Sequence, residues 1–146
     1  MINIVDDNGV KITLTPEQLT QIDNQRKKNN YTSIKRLEDA CEKLGIKLTD
    51  ITPAFKYLNK SHIAYIKLGI IIEALNNEWI PNWNASSESK YFNYFRMQGG
   101  FSSYSTAYHT TCTLVPSALY FKTKEIAEYA AKQFIDLYKE YYEIPQ

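Results

Sequence analysis

The residues best suited to binding chemistry form a run of aromatic side chains in the second half of the chain, around KYFNYFRMQGGFSSYSTAYH. Seven of the eighteen residues in 91–108 are aromatic. Rings beside an arginine can stack on flat groups such as bases, at about 1–3 kcal/mol per base. If these rings form a ligand-binding surface rather than core, the candidate residues are Trp79, Trp83, Tyr94, Arg96, Tyr104 and Tyr108.

The alternation of a strand divides these rings between two faces. Residues 91, 93, 95 and 97 would face one way and pack on the last helix. Phe92, Tyr94 and Arg96 would face the other way, and we place Tyr104 and Tyr108 on this second face with them. Tyr104 and Tyr108 must share a face with each other because they are four residues apart on one strand. If the N-terminal helices cover this second face, the rings are core instead. The segment WIPNW, residues 79–83, has two interpretations as well: a lid over the end of the central helix, or a clamp on a planar group.

The sequence gives less support to a catalytic or metal-binding site. His109 and Cys112 form an H-x-x-C, but zinc needs about four ligands, and His62 and Cys41 are far away in sequence. A nucleophilic Cys112 would need an orienting third group, which the sequence does not show. The chain has neither a P-loop nor a G-x-G-x-x-G motif. We therefore expect neither catalytic residues nor a metal or other cofactor.

Composition sets broad limits. The chain has 146 residues, 17 basic and 16 acidic, for a net charge of +1, so overall charge gives no argument for nucleic-acid binding. Its two cysteines are too few for a disulfide scaffold. No signal-peptide pattern opens the sequence, and the longest apolar run, residues 63–75, is too short for a membrane span. The expected location is the cytoplasm, without a membrane partner.

Turn and capping signals predict the order of elements. A hairpin with a type I′ turn at Asn8-Gly9 comes first. Helices are then predicted from Thr15, with Gln18 completing a capping box, from Ser33 to Gly45, and from Ser61 to about residue 77, the last being the central helix. Three strands follow over residues 91–97, 101–108 and 113–122, joined first by a turn at Gln98-Gly99-Gly100. A final helix, capped by Thr123, runs to residue 142.

The expected fold is therefore α+β. An N-terminal β-hairpin and three helices pack with a C-terminal three-stranded antiparallel meander and a final helix. Residues 1–146 would form a single domain, with a helical part over about 15–78 and an aromatic sheet-plus-helix part over about 88–142. The polar segment between these parts is too short for a linker.

The succession LTPEQL, LEDACEKLGI, LGIIIEALNNEWIPNW, KYFNYFRM and LYFKTKEIAEYAAKQFIDLYKEYY resembles a family of small uncharacterised proteins from phages and mobile elements of Bacteroidetes. The resemblance covers nearly the whole chain and implies a bacterial host cell, but no catalytic residues. The chain departs from the family at VPSAL, residues 115–119, where the family tends to have a glycine and an arginine. If that arginine contacts an anionic ligand, this chain lacks the contact.

Together, these observations predict a non-catalytic phage or mobile-element accessory protein. It would bind a nucleotide-like ligand or single-stranded nucleic acid through the aromatic surface, and would act by sequestration or coating, against host defence. The alternative is a protein–protein module, either an inhibitor of a host protein or a structural component of the virion, and a homo-oligomer is a further expectation. An enzyme using His109 and Cys112 ranks last.

Overall fold

The computed structural model describes residues 1–5 and 7–143, and for residues 27–29 the backbone conformation alone. Its helices and strands follow one another as β1 Ile2–Val5, β2 Lys11–Leu14, α1 Pro16–Asn29, α2 Leu37–Leu44, α3 Leu48–Ile51, α4 Lys60–Asn76, β3 Lys90–Phe95, β4 Tyr104–His109, α5 Lys124–Gln133 and α6 Ile135–Tyr142. The described part thus holds six helices and two two-stranded antiparallel sheets, which confirms the α+β class. The chain divides into two compact units, Met1–Asn30 and Tyr31–Gln146.

The first unit is a hairpin followed by a helix. Ile4 pairs with Ile12 and Ile2 with Leu14, so these aliphatic side chains share one face of the hairpin. The predicted type I′ turn is wrong. The connection between the paired residues Val5 and Lys11 is five residues long. Among its described residues, Gly9 is left-handed, with φ 78°, whereas Asn8 does not have positive φ. A type I′ turn connects two strands through two residues, so it does not describe this five-residue connection.

The capping box predicted for α1 is present. The backbone N–H of Gln18 donates to the Thr15 hydroxyl at 3.2 Å, and the Gln18 side chain accepts from the Thr15 N–H at 2.9 Å. These two bonds satisfy donors that the first turn of a helix leaves open.

In the second unit, α4 is the central helix, as its apolar residues predict. Ala64, Leu68 and Ile71 are almost completely buried, and α4 packs against both α2 and α6. The helix begins at Lys60, where the Asn59 side chain accepts from the N–H of His62 at 2.9 Å. Ser61, the predicted first residue, instead donates its hydroxyl proton to the carbonyl of Tyr141 at 2.7 Å.

The start of α2 differs from the prediction. The helix begins at Leu37, and the segment around Ser33 forms a 3₁₀ turn, Tyr31–Ser33. Contacts from α5 hold this segment: the Tyr129 hydroxyl donates to the carbonyl of Ile34 at 2.7 Å, and Gln133 donates to that of Lys35 at 3.0 Å. These tertiary bonds outweigh the local capping preference of Ser33. The helix ends, as predicted, at Gly45, with φ 69°.

The predicted three-stranded meander is wrong. β3 and β4 form a two-stranded sheet, joined through the predicted turn, where Gly99 and Gly100 have positive φ. The third segment contributes a single bridge, in which Phe121 and Tyr91 exchange backbone hydrogen bonds of 2.7 and 3.0 Å. Pro116 has no N–H to donate, and Ser117–Leu119 is a 3₁₀ turn, so residues 113–120 cannot continue the ladder.

The last helix is capped by Thr123, as predicted, with its hydroxyl accepting from the N–H of Ile126 at 3.2 Å. It is divided at Phe134, a buried residue with φ −116° and ψ 29°, into α5 and α6. The division lets α5 pack on the β3–β4 sheet while α6 packs on α4. Of the helices that the structure describes, none has the length and apolar character needed to cross a membrane.

Candidate ligand-binding site

The β3–β4 sheet presents two different aromatic faces. The cross-strand partners are Phe92 and Ala107 on one face, and Tyr91 and Tyr108 on the other. We call these the Phe92 face and the Tyr108 face. The Phe92 face carries residues 90, 92, 94, 105, 107 and 109. The Tyr108 face carries residues 91, 93, 95, 104, 106 and 108.

The Tyr108 face packs on the last helices, as the sequence predicts for residues 91, 93 and 95. At its centre, the buried amide of Asn93 donates to the carbonyl of Ala127 at 2.8 Å and accepts from the Thr106 hydroxyl at 2.8 Å. Its nitrogen also lies 3.4 Å from the hydroxyl of Tyr138. Since this face is anchored to α5 and α6, the opposite face is left for other contacts.

A cavity of about 510 Å³ lies on the Phe92 face and extends around the end of β3. Its walls come from both strands, from the segment after β4 and from the end of α6. Ligand sites in proteins typically occupy about 300–1,000 Å³ and are mainly apolar with a few polar groups. This cavity fits that description, being lined by Phe92, Tyr94, Phe95, Met97, Ala107, His109, Leu114, Val115 and Tyr142.

The floor of the cavity is a stack of two rings. The rings of Phe92 and His109 lie nearly parallel, with centroids 5.2 Å apart and planes 18° apart. Phe92 is buried and also contacts Tyr120 edge-on at 5.5 Å. The imidazole thus brings a polar group to the floor, with ring nitrogens that can donate or accept a hydrogen bond.

The rim of the cavity is apolar and open to solvent. Tyr94 is 51% exposed, Met97 41% and Leu114 73%. Exposed apolar side chains are ordinary when scattered, but these three surround one concavity. At the α6 side, burial raises the pKa of Tyr142 from 10.0 to about 12, with a smaller contribution from Tyr141. Tyr142 is partly buried, so the cavity is less exposed to solvent on this side than at its rim.

The structure separates the six candidate residues. Tyr94 lines the cavity, and Arg96 is exposed and lies in the chain between two cavity residues, Phe95 and Met97. Tyr104 and Tyr108 share a face, as predicted, but the expectation that they join Phe92 and Tyr94 is wrong. They lie opposite Phe95 and Tyr91, and therefore on the Tyr108 face.

The two tryptophans contact different neighbours. Trp83 packs edge-on against Tyr120, with ring centroids 4.9 Å apart, and the ammonium of Lys90 lies 5.5 Å from its ring. Trp79 lines a small cavity of about 170 Å³, together with Gly69, Glu73 and Asn76 of α4. This arrangement agrees with residues 79–83 as a lid over the end of α4 rather than as a clamp.

Glu88 holds this loop together. Its carboxylate accepts from the backbone N–H of Asn82 at 2.9 Å and from the side chain of Trp79, and it lies 3.5 Å from the ammonium of Lys90. The Asn82 hydrogen bond, followed by the charge of Lys90, lowers the pKa of this carboxyl. The loop is thus fixed by its own polar groups next to the sheet.

A second cavity, of about 420 Å³, lies on the Tyr108 face and is lined by Tyr91, Thr106, Ala107, Tyr108 and Lys124. Tyr108 is 59% exposed, and its ring centroid lies 5.8 Å from that of Tyr91. Lys124 supplies a cation, which the first cavity lacks among its lining residues.

Sequence reasoning missed several cavity residues, above all His109, Leu114, Val115 and Tyr142. It considered His109 only as a partner for Cys112, yet His109 stacks on Phe92 and Cys112 is exposed. The alternation of side chains along β4 places His109 on the same face as Ala107. This alternation is the one sequence signal that could have identified His109 as a cavity residue. In the described ranges, no three His, Cys, Asp or Glu side chains are grouped as metal ligands would be.

Comparison with protein-family models, with curated proteins and with solved structures found no match for this chain. The resemblance to phage and mobile-element proteins therefore stays a prediction.

Proposed function

We propose that this chain is a non-catalytic binding protein that holds the flat ring of a nucleotide-like ligand in the Phe92-face cavity. The observation that carries the proposal is the cavity itself: about 510 Å³, mainly apolar, with aromatic rings on its floor and rim. Such a space excludes water from the faces of a planar group while leaving its edge open to a few polar contacts.

Two lining residues and the neighbouring arginine have specific roles in this proposal. Tyr94, half exposed at the rim, stacks on the ring of the ligand. His109 exchanges a hydrogen bond with the edge of that ring. Arg96 follows Phe95 at the end of β3, where its guanidinium contacts a phosphate outside the cavity. Trp79 and Trp83, two of the residues first considered, support the neighbouring loop instead.

The resemblance described above gives the proposal its setting. In a phage or mobile element, such a protein acts in the bacterial cytoplasm by sequestering a nucleotide signal or coating single-stranded nucleic acid, against host defence. No chemical step is required, because binding alone removes the ligand from circulation.

Calorimetric titration with thymidine monophosphate and adenosine monophosphate tests the proposal. Replacing Tyr94 by alanine should weaken binding about fivefold or more, since a base stack contributes about 1–3 kcal/mol. Ala107→Leu, which fills the cavity floor beside Phe92, should abolish binding. Tyr57→Ala is the matched control because Tyr57 is 79% exposed and lines neither cavity. If neither nucleotide binds the wild-type protein at millimolar concentration, the proposal fails.

A protein–protein module is the second candidate, and the hairpin of the first unit favours it. Ile2, Ile4 and Ile12 share one face of this two-stranded sheet and are 54%, 46% and 48% exposed. Clustered apolar exposure marks interaction surfaces, with a host protein, a virion component or a second copy as partner. Under this candidate, sedimentation would show association that Ile4→Thr reduces, and no nucleotide would bind.

A further inference from the structure

The two cavities of the sheet lie on either side of one strand. Ala107, near the middle of β4, lines both of them. Because successive side chains of a strand point to opposite faces, the backbone of β4 separates the two cavities, and one mononucleotide cannot occupy both.

The outer edge of β4 is open. In the described part of the chain, β4 pairs with β3 alone, whereas the other edge of β3 is closed by the bridge between Tyr91 and Phe121. A ligand long enough to pass from one face to the other can therefore pass around the unpaired edge of β4.

The second cavity has the groups that a nucleotide needs. Tyr108 offers an exposed ring face beside Tyr91, and Lys124 offers an ammonium group. Lys124 also faces Glu128, with its nitrogen 3.8 Å from the carboxylate, but both side chains are largely exposed. Exposed pairs of this kind are weak and screened by salt, so a phosphate can replace the carboxylate.

We propose that single-stranded nucleic acid crosses the open edge of β4, with one base in the Phe92-face cavity and another stacked on Tyr108. Lys124 contacts the phosphate that follows the second base. This inference rests on the proposed function and deepens it, because it selects a strand over a mononucleotide. Since the strand must pass around β4, we expect the site to take about four nucleotides, at the lower end of the range for single-strand-binding folds.

The experiment compares thymidine monophosphate with thymidylate oligomers of two, four and six nucleotides, by calorimetry and by fluorescence anisotropy. We expect affinity to rise at least tenfold between the dimer and the tetramer and then to level off. Tyr108→Ala should weaken hexamer binding about fivefold or more and leave monophosphate binding unchanged. Tyr108→Phe should keep the affinity, and the exposed Tyr57→Ala should change neither.

Salt dependence provides a second readout that does not depend on Tyr108. Each phosphate neutralised on a single strand contributes a slope of about −0.7 to the plot of log affinity against log salt. Lys124→Gln should therefore reduce the slope for the hexamer by about 0.7, whereas Lys132→Gln, on the last turn of α5, should not.

The outcomes separate the two proposals. Binding of the monophosphate with equal affinity for all oligomers, and no effect of Tyr108→Ala on the hexamer, would overturn the strand-crossing inference and leave the proposed function standing. Failure of the monophosphate and of every oligomer would overturn both. Tighter binding of duplex than of single-stranded nucleic acid would also overturn the inference, since a duplex cannot bend around the edge of β4.

Discussion

The ammonium group of Lys90 donates a 2.7 Å hydrogen bond to the carbonyl oxygen of Thr110, across the end of the sheet. The same group donates to the carbonyls of Ala85 and Glu88 at 3.0 and 2.9 Å, and its side chain is completely buried. Lys90 lies directly opposite His109 in the register. One buried cation thus joins residues 79–90 to the strand that carries the imidazole of the proposed site.

Replacing Lys90 by methionine should lower the free energy of unfolding by about 2–4 kcal/mol. The substitution keeps the length of the side chain but leaves three carbonyl groups without their donor. A fully buried unsatisfied acceptor costs about 1–3 kcal/mol, and the total stays below three times that cost because these carbonyls are only partly buried. Urea denaturation measures the effect. The control is Lys122→Met, at an exposed position next to the Phe121 bridge, where a change within about 0.5 kcal/mol is expected. Equal stability of the two variants would mean that the Lys90 bonds are not needed.

Asn93→Leu should destabilise the protein more than Thr106→Val does. The first change removes every contact of the amide with Ala127, Thr106 and Tyr138, at about 2–3 kcal/mol. The second removes only the hydroxyl donor to Asn93, at about 1 kcal/mol. Thermal unfolding of both variants, and of the double variant, checks the order. Since the residues share one network, the double variant should lose less than the sum of the two.

Stability should fall at alkaline pH, in part through Tyr142. Its pKa in the folded protein, about 12, is above the ordinary 10.0, first because of burial and then because of Tyr141. Folding therefore favours the neutral ring, so the contribution is complete below pH 10 and is lost as pH rises through about 12. Tyr142→Phe should flatten this part of the curve of urea midpoint against pH, and Tyr57→Phe, at an exposed position, should not. Identical curves for wild type and Tyr142→Phe would contradict the assignment.

Capping and turn signals in the sequence predict much of the fold because they act between residues that are close together in the chain. The capping box of Thr15 and Gln18, the glycine at position 45 and the Thr123 cap all occur where the sequence places them. Features set by distant contacts are not predictable in this way. The segment that precedes α2, for example, is held by Tyr129, which is 95 residues away from Ile34.

In the candidate site, too, features set by local contacts are predictable from the sequence and features set by distant contacts are not. Phe92 and Tyr94 share a face, as predicted, and so do Tyr104 and Tyr108. Which face they share depends on the register across the turn, where Phe95 pairs with Tyr104, and a slip of one residue reverses every side chain. Leu114 and Tyr142 enter the cavity from segments that the sequence does not connect with β3.

An NMR titration of the aromatic and imidazole protons with thymidine monophosphate tests directly whether the Phe92-face cavity binds a planar ligand. Because a stacked base shifts nearby protons through its ring current, we expect the largest shifts at Phe92, Tyr94 and His109, and loss of these shifts in Ala107→Leu. Tyr57 should not shift. Unchanged spectra at millimolar ligand, or shifts of the same size at Tyr57, would contradict the claim that the Phe92-face cavity is a ligand site.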